Sequence, residues 1–481
     1  MTSKKMQRAR RLGIGSALIL AFWLATALAA AAQTFTTLYN FDWTHGAAPD
    51  EPLVQGRDGN FYGVALFGGT HGAGAIFKIT PQGTLTTLHS FLSCTNRHIG
   101  ASGLALGVDG NFYGASSCGG SHQSGTVFKI APGGRFTTLY SFCTQTNCPD
   151  GAFPSGLVLA SSGNFYGATG GGGAYGEGTI FKITPAGALT TLYSFCSQAN
   201  CPDGSAPYGP LVQATGGNFY GMTRSGGASS YGTFFKITAA GKLTTLLSFD
   251  RSDADENGLI QASDGNFYGT TWEGGDYLAG SVVQLTPTGT LTTLYSFCAN
   301  PINYICPDGA VLTAGLMPAT DGNSYGTTSV GGNASNSGTI FQVTPAGALT
   351  TVHSFSNYPI DGADPYAPPL QATNGILYGT TWAGAGGANG ADGTVWSLDM
   401  GFGPFITFVL DSGKAGAKAE ILGQGFTGTT GVSFNGTPAT FAVKSDTYLT
   451  ATVPVGATTG PVTVTTPSAT LTSNVPFRVR P

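Results

Sequence analysis

At 481 residues the chain is longer than one ordinary domain, and with 75 glycines and only 9% charged residues it reads as many short strands joined by tight turns, with long helices nearly excluded. The 20 Lys+Arg against 24 Asp+Glu give a formal charge of −4, which offers no basic surface to nucleic acid or an anionic membrane.

The first element in chain order is a secretory signal over residues 1–32. Lys4, Lys5, Arg8, Arg10 and Arg11 form its positive end, Ile14 to Ala29 its apolar core, and Ala30-Ala31-Ala32 a small-residue cleavage site before Gln33. No Cys lies at that point, so a lipoprotein is not expected. No second long apolar run follows, so no transmembrane segment is expected after cleavage. Cleavage removes five of the 20 Lys+Arg and none of the 24 Asp+Glu, which makes the mature chain more acidic, at −9.

A lone strand, Phe35-Thr36-Thr37-Leu38-Tyr39-Asn40-Phe41, comes next, and after it a repeat occupies most of the chain. A block centred on N-F-Y-G recurs with its Tyr at Tyr62, Tyr113, Tyr166, Tyr220, Tyr268, Tyr325 and Tyr378, at intervals of 51, 53, 54, 48, 57 and 53 residues. Each block is preceded by a short apolar strand such as Leu157 to Leu159. It is followed by a Gly-rich stretch, an I-F-K-I-T-like strand, a P-x-G-like turn and an L-T-T-L-Y-S-F strand, so that each repeat holds four strands. The seventh repeat stops at Asp399 without its last strand, and the missing copy is the N-terminal Phe35 to Phe41. A closed ring explains that displacement, whereas an open solenoid would need capping repeats instead. The expected fold is therefore all-β: a seven-bladed β-propeller over 33–402, closed by its N-terminal strand. Adjacent Phe and Tyr point to opposite faces of a strand, so both are expected to pack between neighbouring blades.

In such a ring the D-G-N and P-x-G turns fall on one face, and the Gly-rich loops and blade-to-blade connections fall on the other. The long-loop face is the candidate binding face. The repeat resembles that of the GloVer-type (choice-of-anchor) tandem-repeat proteins of bacteria in D-G-N-F-Y-G-T-T, from Asp264 to Thr271, and G-T-I-F-K-I-T-P-A-G-A-L-T-T-L-Y-S-F, from Gly178 to Phe195. That resemblance implies an exported surface or extracellular protein, and it supplies no catalytic residues to carry over.

Beyond Gly401-Phe402-Gly403-Pro404 the pattern changes to alternating strands with Gly and Pro turns, among them Val432-Ser433-Phe434 and Val462-Thr463-Val464. Residues 404–481 resemble an IPT/TIG domain, which implies a C-terminal Ig-like β-sandwich acting as spacer or interaction module. No terminal anchor or sorting sequence is expected.

Eight cysteines in an exported chain point to disulfides. Cys143/Cys148, Cys196/Cys201 and Cys298/Cys306 each follow an S-F strand end and precede Pro-Asp-Gly, so each pair is expected to close one blade-to-blade loop, and Cys94 is paired with Cys118. Asp253, Asp255 and Asn257 open like a D-x-D-x-N-G calcium loop, but position twelve is Asp264 and no helix flanks it. A solvated acidic loop is therefore the default, with calcium a weaker possibility and no other cofactor expected.

No H-E-x-x-H, G-x-S-x-G or P-loop occurs, and no His has a Ser or Cys partner at motif spacing. His89 and His353 replace the Tyr of the L-T-T-L-Y-S-F strand and read as structural. The candidate ligand-binding set is aromatic: Trp43, Trp272, Trp382, Tyr175, Tyr231 and Tyr277 on the long-loop face, with Arg224, Glu273 and Asp276 for polar contacts. The leading expectation is a non-enzymatic exported binding protein for carbohydrate or a surface protein. Against it stand a propeller enzyme, similar in repeat outline to streptogramin-lyase-type or polysaccharide-lyase propellers, and a structural cell-surface component. The inner strands read as apolar and without His, which disfavours the enzyme.

Overall fold

Each N-F-Y-G block folds as the second strand of a four-stranded antiparallel sheet. The computed structural model describes residues 33–92, 102–250, 256–356, 360–384 and 392–481, and these hold no helix. The first sheet runs Val54–Gln55, Phe61–Ala65, Ala75–Ile79 and Leu85–Ser90, hydrogen-bonded in that order. Five further sheets repeat this order around Phe112–Ser116, Phe165–Gly171, Phe219–Ser225, Phe267–Thr271 and Ser324–Thr328. The seventh is built from Leu370–Gln371, Leu377–Thr381 and Thr394–Asp399, and its fourth strand is Thr34–Asn40 from the other end of the chain. Phe35 sits opposite Leu398 and Asn40 opposite Thr394, with a bulge between Thr37 and Tyr39. The arrangement is propeller-like: it closes on itself through the displaced strand, which covers the edge of Thr394–Asp399 and completes the seventh sheet at four strands.

The aromatics of N-F-Y-G form the contacts between sheets. The Tyr of one sheet stacks on the Phe of the next: Tyr62 on Phe112 at 4.0 Å, Tyr113 on Phe165 at 4.1 Å, Tyr166 on Phe219 at 4.0 Å and Tyr220 on Phe267 at 4.3 Å. Tyr378 of the seventh sheet meets Phe61 of the first at 4.1 Å, so the ladder also crosses the junction. It lapses at the sixth and seventh sheets, where Ser324 and Leu377 stand in place of Phe. The glycine that follows is required by packing: a Cβ on Gly114 would collide with the Phe128 ring, and one on Gly379 with Trp396.

The D-G-N turn is held by its own strand. Asp109 accepts hydrogen bonds from the Asn111 backbone N–H and from the Tyr113 hydroxyl, the latter at 2.8 Å, and Asp58, Asp264 and Asp321 do the same for Tyr62, Tyr268 and Tyr325. Asp109→Ala is expected to cost about 1–2 kcal/mol in urea denaturation, because it removes an ionised acceptor shared by three donors, the third being the Asn111 side-chain amide. Ser162→Ala, at the equivalent turn without that Tyr bond, should stay within about 0.5 kcal/mol. Equal effects at the two sites would show that the Asp–Tyr bond contributes nothing.

His89 stacks on Phe136 and His353 on Phe35, both at 3.9 Å, and His353 also bonds the buried Asp361 at 2.9 Å. Both are thus part of the packing between outer strands. Tyr140, Tyr193 and Tyr295 hold Asp150, Asp203 and Asp308 of Pro-Asp-Gly in the same way.

After residue 400 two more four-stranded sheets form. One has the order Thr407–Phe408, Lys418–Leu422, Tyr448–Thr452, Phe441–Ser445; the other has the order Thr437–Pro438, Gly431–Phe434, Val462–Thr465, Thr470–Thr472. They share one core that includes Ile421, Phe434, Leu449, Val464 and Phe477. This unit does not extend away as a free spacer. It packs on the D-G-N turns: Arg57 pairs with Glu420 at 2.6 Å, lies 4.7 Å from the Tyr448 ring centroid and donates to the Val108 carbonyl, and Gln424 donates to Thr373.

Candidate functional site

The inner strand of each sheet descends from the long-loop face towards its D-G-N turn, and the residues just upstream of that strand surround a central cavity of about 690 Å³. All seven sheets contribute, through residues 50–52, 102–104, 153–157, 207–210, 258–260, 313–316 and 366–368. The walls are apolar or backbone for the most part, with Phe153, Pro207, Pro210 and Leu259 among them. Several of the polar exceptions share one repeat position. Counting four residues on from the glycine at 46, 151, 204, 309 and 362 gives Asp50, Ser155, Tyr208, Thr313 and Tyr366, and all five line the cavity.

Asp50 and Glu51 are the only charged groups among the described lining residues; no Lys, Arg or His joins them. Burial pushes both carboxyls well above the ordinary carboxylate range, and the Asp50 charge raises Glu51 further, against one hydrogen bond from the Gly103 amide. Asp50 Oδ1 is buried without a hydrogen-bond partner, and so is Thr313 Oγ1. Tyr366 is raised by burial and then by the charges of Asp364 and Asp50, and its ring meets Trp382 edge-on at 5.9 Å. The cavity wall just upstream of the inner strands thus carries a carboxyl pair that the sequence reading did not single out. A carboxyl pair hides there because one adjacent Asp-Glu among seven inner strands leaves no periodic trace. Superposing the repeats on their glycines would have exposed the polar position.

The aromatic set from the sequence is not among the cavity's lining residues. Trp43, Trp272, Tyr175, Tyr231 and Tyr277 are exposed on the long-loop side, as are Arg224, Glu273 and Asp276, and none of these lines the cavity. Trp382 is half-buried and reaches the cavity only through Tyr366. Sequence reasoning passed over Tyr304, which stands fully exposed in the loop closed by Cys298 and Cys306.

Three of the expected disulfides are present: Cys143–Cys148, Cys196–Cys201 and Cys298–Cys306. The carbonyls of Cys148, Cys201 and Cys306 accept the amides of Gly173, Gly227 and Gly332, so each closed loop also pins the Gly-rich hairpin beside it. Cys118 is disulfide-bonded, and Cys94 lies outside the described residues. Asp253 and Asp255 of the calcium suggestion also lie outside them, as does the side chain of Asn257. Among the described residues no group of three or more His, Cys, Asp or Glu is gathered for a metal, and no helix is long and apolar enough to cross a membrane.

Fold and site together define an all-β, propeller-like repeat protein with a central cavity. The model of the Gloeobacter/Verrucomicrobia repeat matches residues 96–258 and 254–440, and the chain belongs to that family. No curated protein matches it. Among solved structures, a gluconolactonase from Xanthomonas campestris is 13% identical over 62% of this chain and 86% of its own, with a TM-score of 0.39. The extracellular domain of a hybrid two-component system from B. thetaiotaomicron is 11% identical over 90% of this chain and 54% of its own, with a TM-score of 0.49. An oxidoreductase from Thermus thermophilus described as a glucose dehydrogenase is 12% identical over 76% of this chain and 100% of its own, with a TM-score of 0.40. At these scores the likenesses carry no argument about activity or ligand.

Proposed function

We propose that the chain is an exported, non-enzymatic binding protein whose ligand, a carbohydrate or an exposed segment of a surface protein, enters the central cavity from the long-loop face. The proposed organisation is a signal peptide over 1–32, a seven-bladed β-propeller over 33–402 and an IPT/TIG-type Ig-like sandwich over 404–481. The observation that carries the reading is the cavity: about 690 Å³, walled by rings and backbone, with a few convergent polar groups. Disulfide-closed loops between the sheets support export.

The test is a glycan-array and pull-down screen of the chain from Gln33 onward, followed by equilibrium binding. Tyr208→Ala and Tyr366→Ala should weaken binding about tenfold or more, while Trp272→Ala should leave it unchanged. Loss in Trp272→Ala alone would return the site to the outer loops. The paired carboxyls favour a second reading, an enzyme of the lyase or hydrolase type using Asp50 or Glu51 as general acid. Turnover of a captured saccharide, abolished by Glu51→Gln with binding retained, would establish that reading instead.

A further inference from the structure

We infer that the central cavity takes its ligand through a cationic amino group, seated on Asp50 and Glu51 beside the ring of Tyr366. The inference rests on the cavity being the binding site and adds the chemical class of what it binds.

Three observations converge on it. The two carboxyls share a cavity in which no described lining residue is basic, so no charge among those residues compensates them when they ionise. Asp50 Oδ1 is buried and accepts no hydrogen bond, although buried carboxylate oxygens are satisfied in nearly all native structures, so the site is complete only with a donor from outside. The third observation is local to the junction of the seventh and first sheets. Thr270 and Thr327 donate their hydroxyls to the inner-strand carbonyls of the next sheet, at Ala314 and Ala367. At the equivalent place Thr380, fully buried, has no partner, and the residue in the Ala314 and Ala367 register is Glu51. Of the three threonines at this repeat position, the one next to the acid pair is thus the one whose hydroxyl is left without a bond.

The chemistry selects an amine over a metal ion. A hard divalent cation takes six to eight oxygen ligands, and no third carboxylate or His joins the pair. An ammonium needs only charge-assisted hydrogen bonds to two carboxylates and tolerates an aromatic neighbour, which Tyr366 supplies. Ligand cations recognised this way carry the charge on a small organic body, and the remaining apolar and Tyr208 walls leave room for one or two sugar rings.

The experiment is calorimetric titration of the chain from Gln33 onward with a matched series: the glucosamine disaccharide with free amines, its N-acetylated form, cellobiose, spermidine and calcium. The free-amine disaccharide should bind at least about tenfold tighter than its N-acetylated form, and spermidine should compete with it. Asp50→Asn and Glu51→Gln should each remove about tenfold or more of that binding without lowering the melting temperature, since they delete uncompensated charge and keep the shape. A pair that served only the fold would melt lower in both variants, and that result would overturn the inference. Equal binding of neutral and amino saccharides would overturn it while leaving the proposed function standing. Calcium binding that both variants abolish would replace the amine with a metal. Silence across the whole series would remove both the amine and the saccharide reading.

Discussion

Removing residues 33–41 should unfold the ring rather than trim it. The strand Thr34–Asn40 is the outer member of the seventh sheet, so its loss bares the edge of Thr394–Asp399, which lies against it in the intact chain. Its side chains bind more than their own sheet: Phe35 lies over His353 and beside Trp396, and Phe41 is 1% exposed in a core shared with Phe77, Ala372 and Tyr378. The truncated chain should lose its cooperative melt and elute as aggregate. A synthetic peptide of residues 33–41 should restore part of the transition when added in excess. Trp396→Ala, which empties a site with no exposure at all, should cost about 3–5 kcal/mol in denaturant unfolding. A truncated chain that melts and elutes like the intact one would mean that the ring is not closed by this strand.

The second large effect is on pH. Asp50 and Glu51 are raised in the folded state, by burial first and then, for Glu51, by the neighbouring charge. The folded chain therefore binds more protons than the unfolded chain across the interval between the two sets of pKa values, and stability must fall as pH rises through that interval. The loss begins in the ordinary carboxylate range and continues into neutral and mildly alkaline solution, with a size on the order of a few kcal/mol, because each unit of displacement is about 1.4 kcal/mol and the open cavity admits water. Tyr366 lines the same cavity, and burial and the Asp364 and Asp50 charges raise it, so it stays neutral beside the pair over this range.

Asp109 and Asp264 act in the opposite sense and elsewhere. Burial opposes their ionisation, but the bonds from Asn111 and Tyr113, and from Tyr268 and Asn266, outweigh it and hold both below the usual value. Their contribution is present above the unfolded pKa and is lost as pH falls through the lowered one. Melting temperature against pH should therefore decline on the alkaline side in the wild type and flatten in the Asp50→Asn, Glu51→Gln double variant. Identical profiles for the two proteins would show that the pair is not held protonated.

The short-period features of this fold were legible because they are carried by contacts within one repeat. N-F-Y-G reads as a buried strand from its alternation, and the displaced Phe35 to Phe41 reads as the partner of Thr394–Asp399 because it is the one copy out of order. The local disulfides follow from cysteines five or eight residues apart at one loop position. The aromatic candidates were less informative. Trp43, Trp272 and Tyr277 are exposed on loops, and exposure on a loop does not say which side chains converge.

What the amino-acid sequence determined by itself is the all-β character, the four-stranded unit and the strand that closes the array, since alternation, glycine spacing and turn residues act over a few residues. The central cavity was decided only by tertiary structure. Its walls come from all seven sheets, through residues between 50 and 368, and no single repeat contains more than a minor part of them. Glu51 and Asp50 are unremarkable acids in a connecting segment until ring closure surrounds them with six other inner strands and withdraws them from bulk water, with no basic residue among the described lining residues. That is why the proposed binding chemistry arises from closure rather than from any motif.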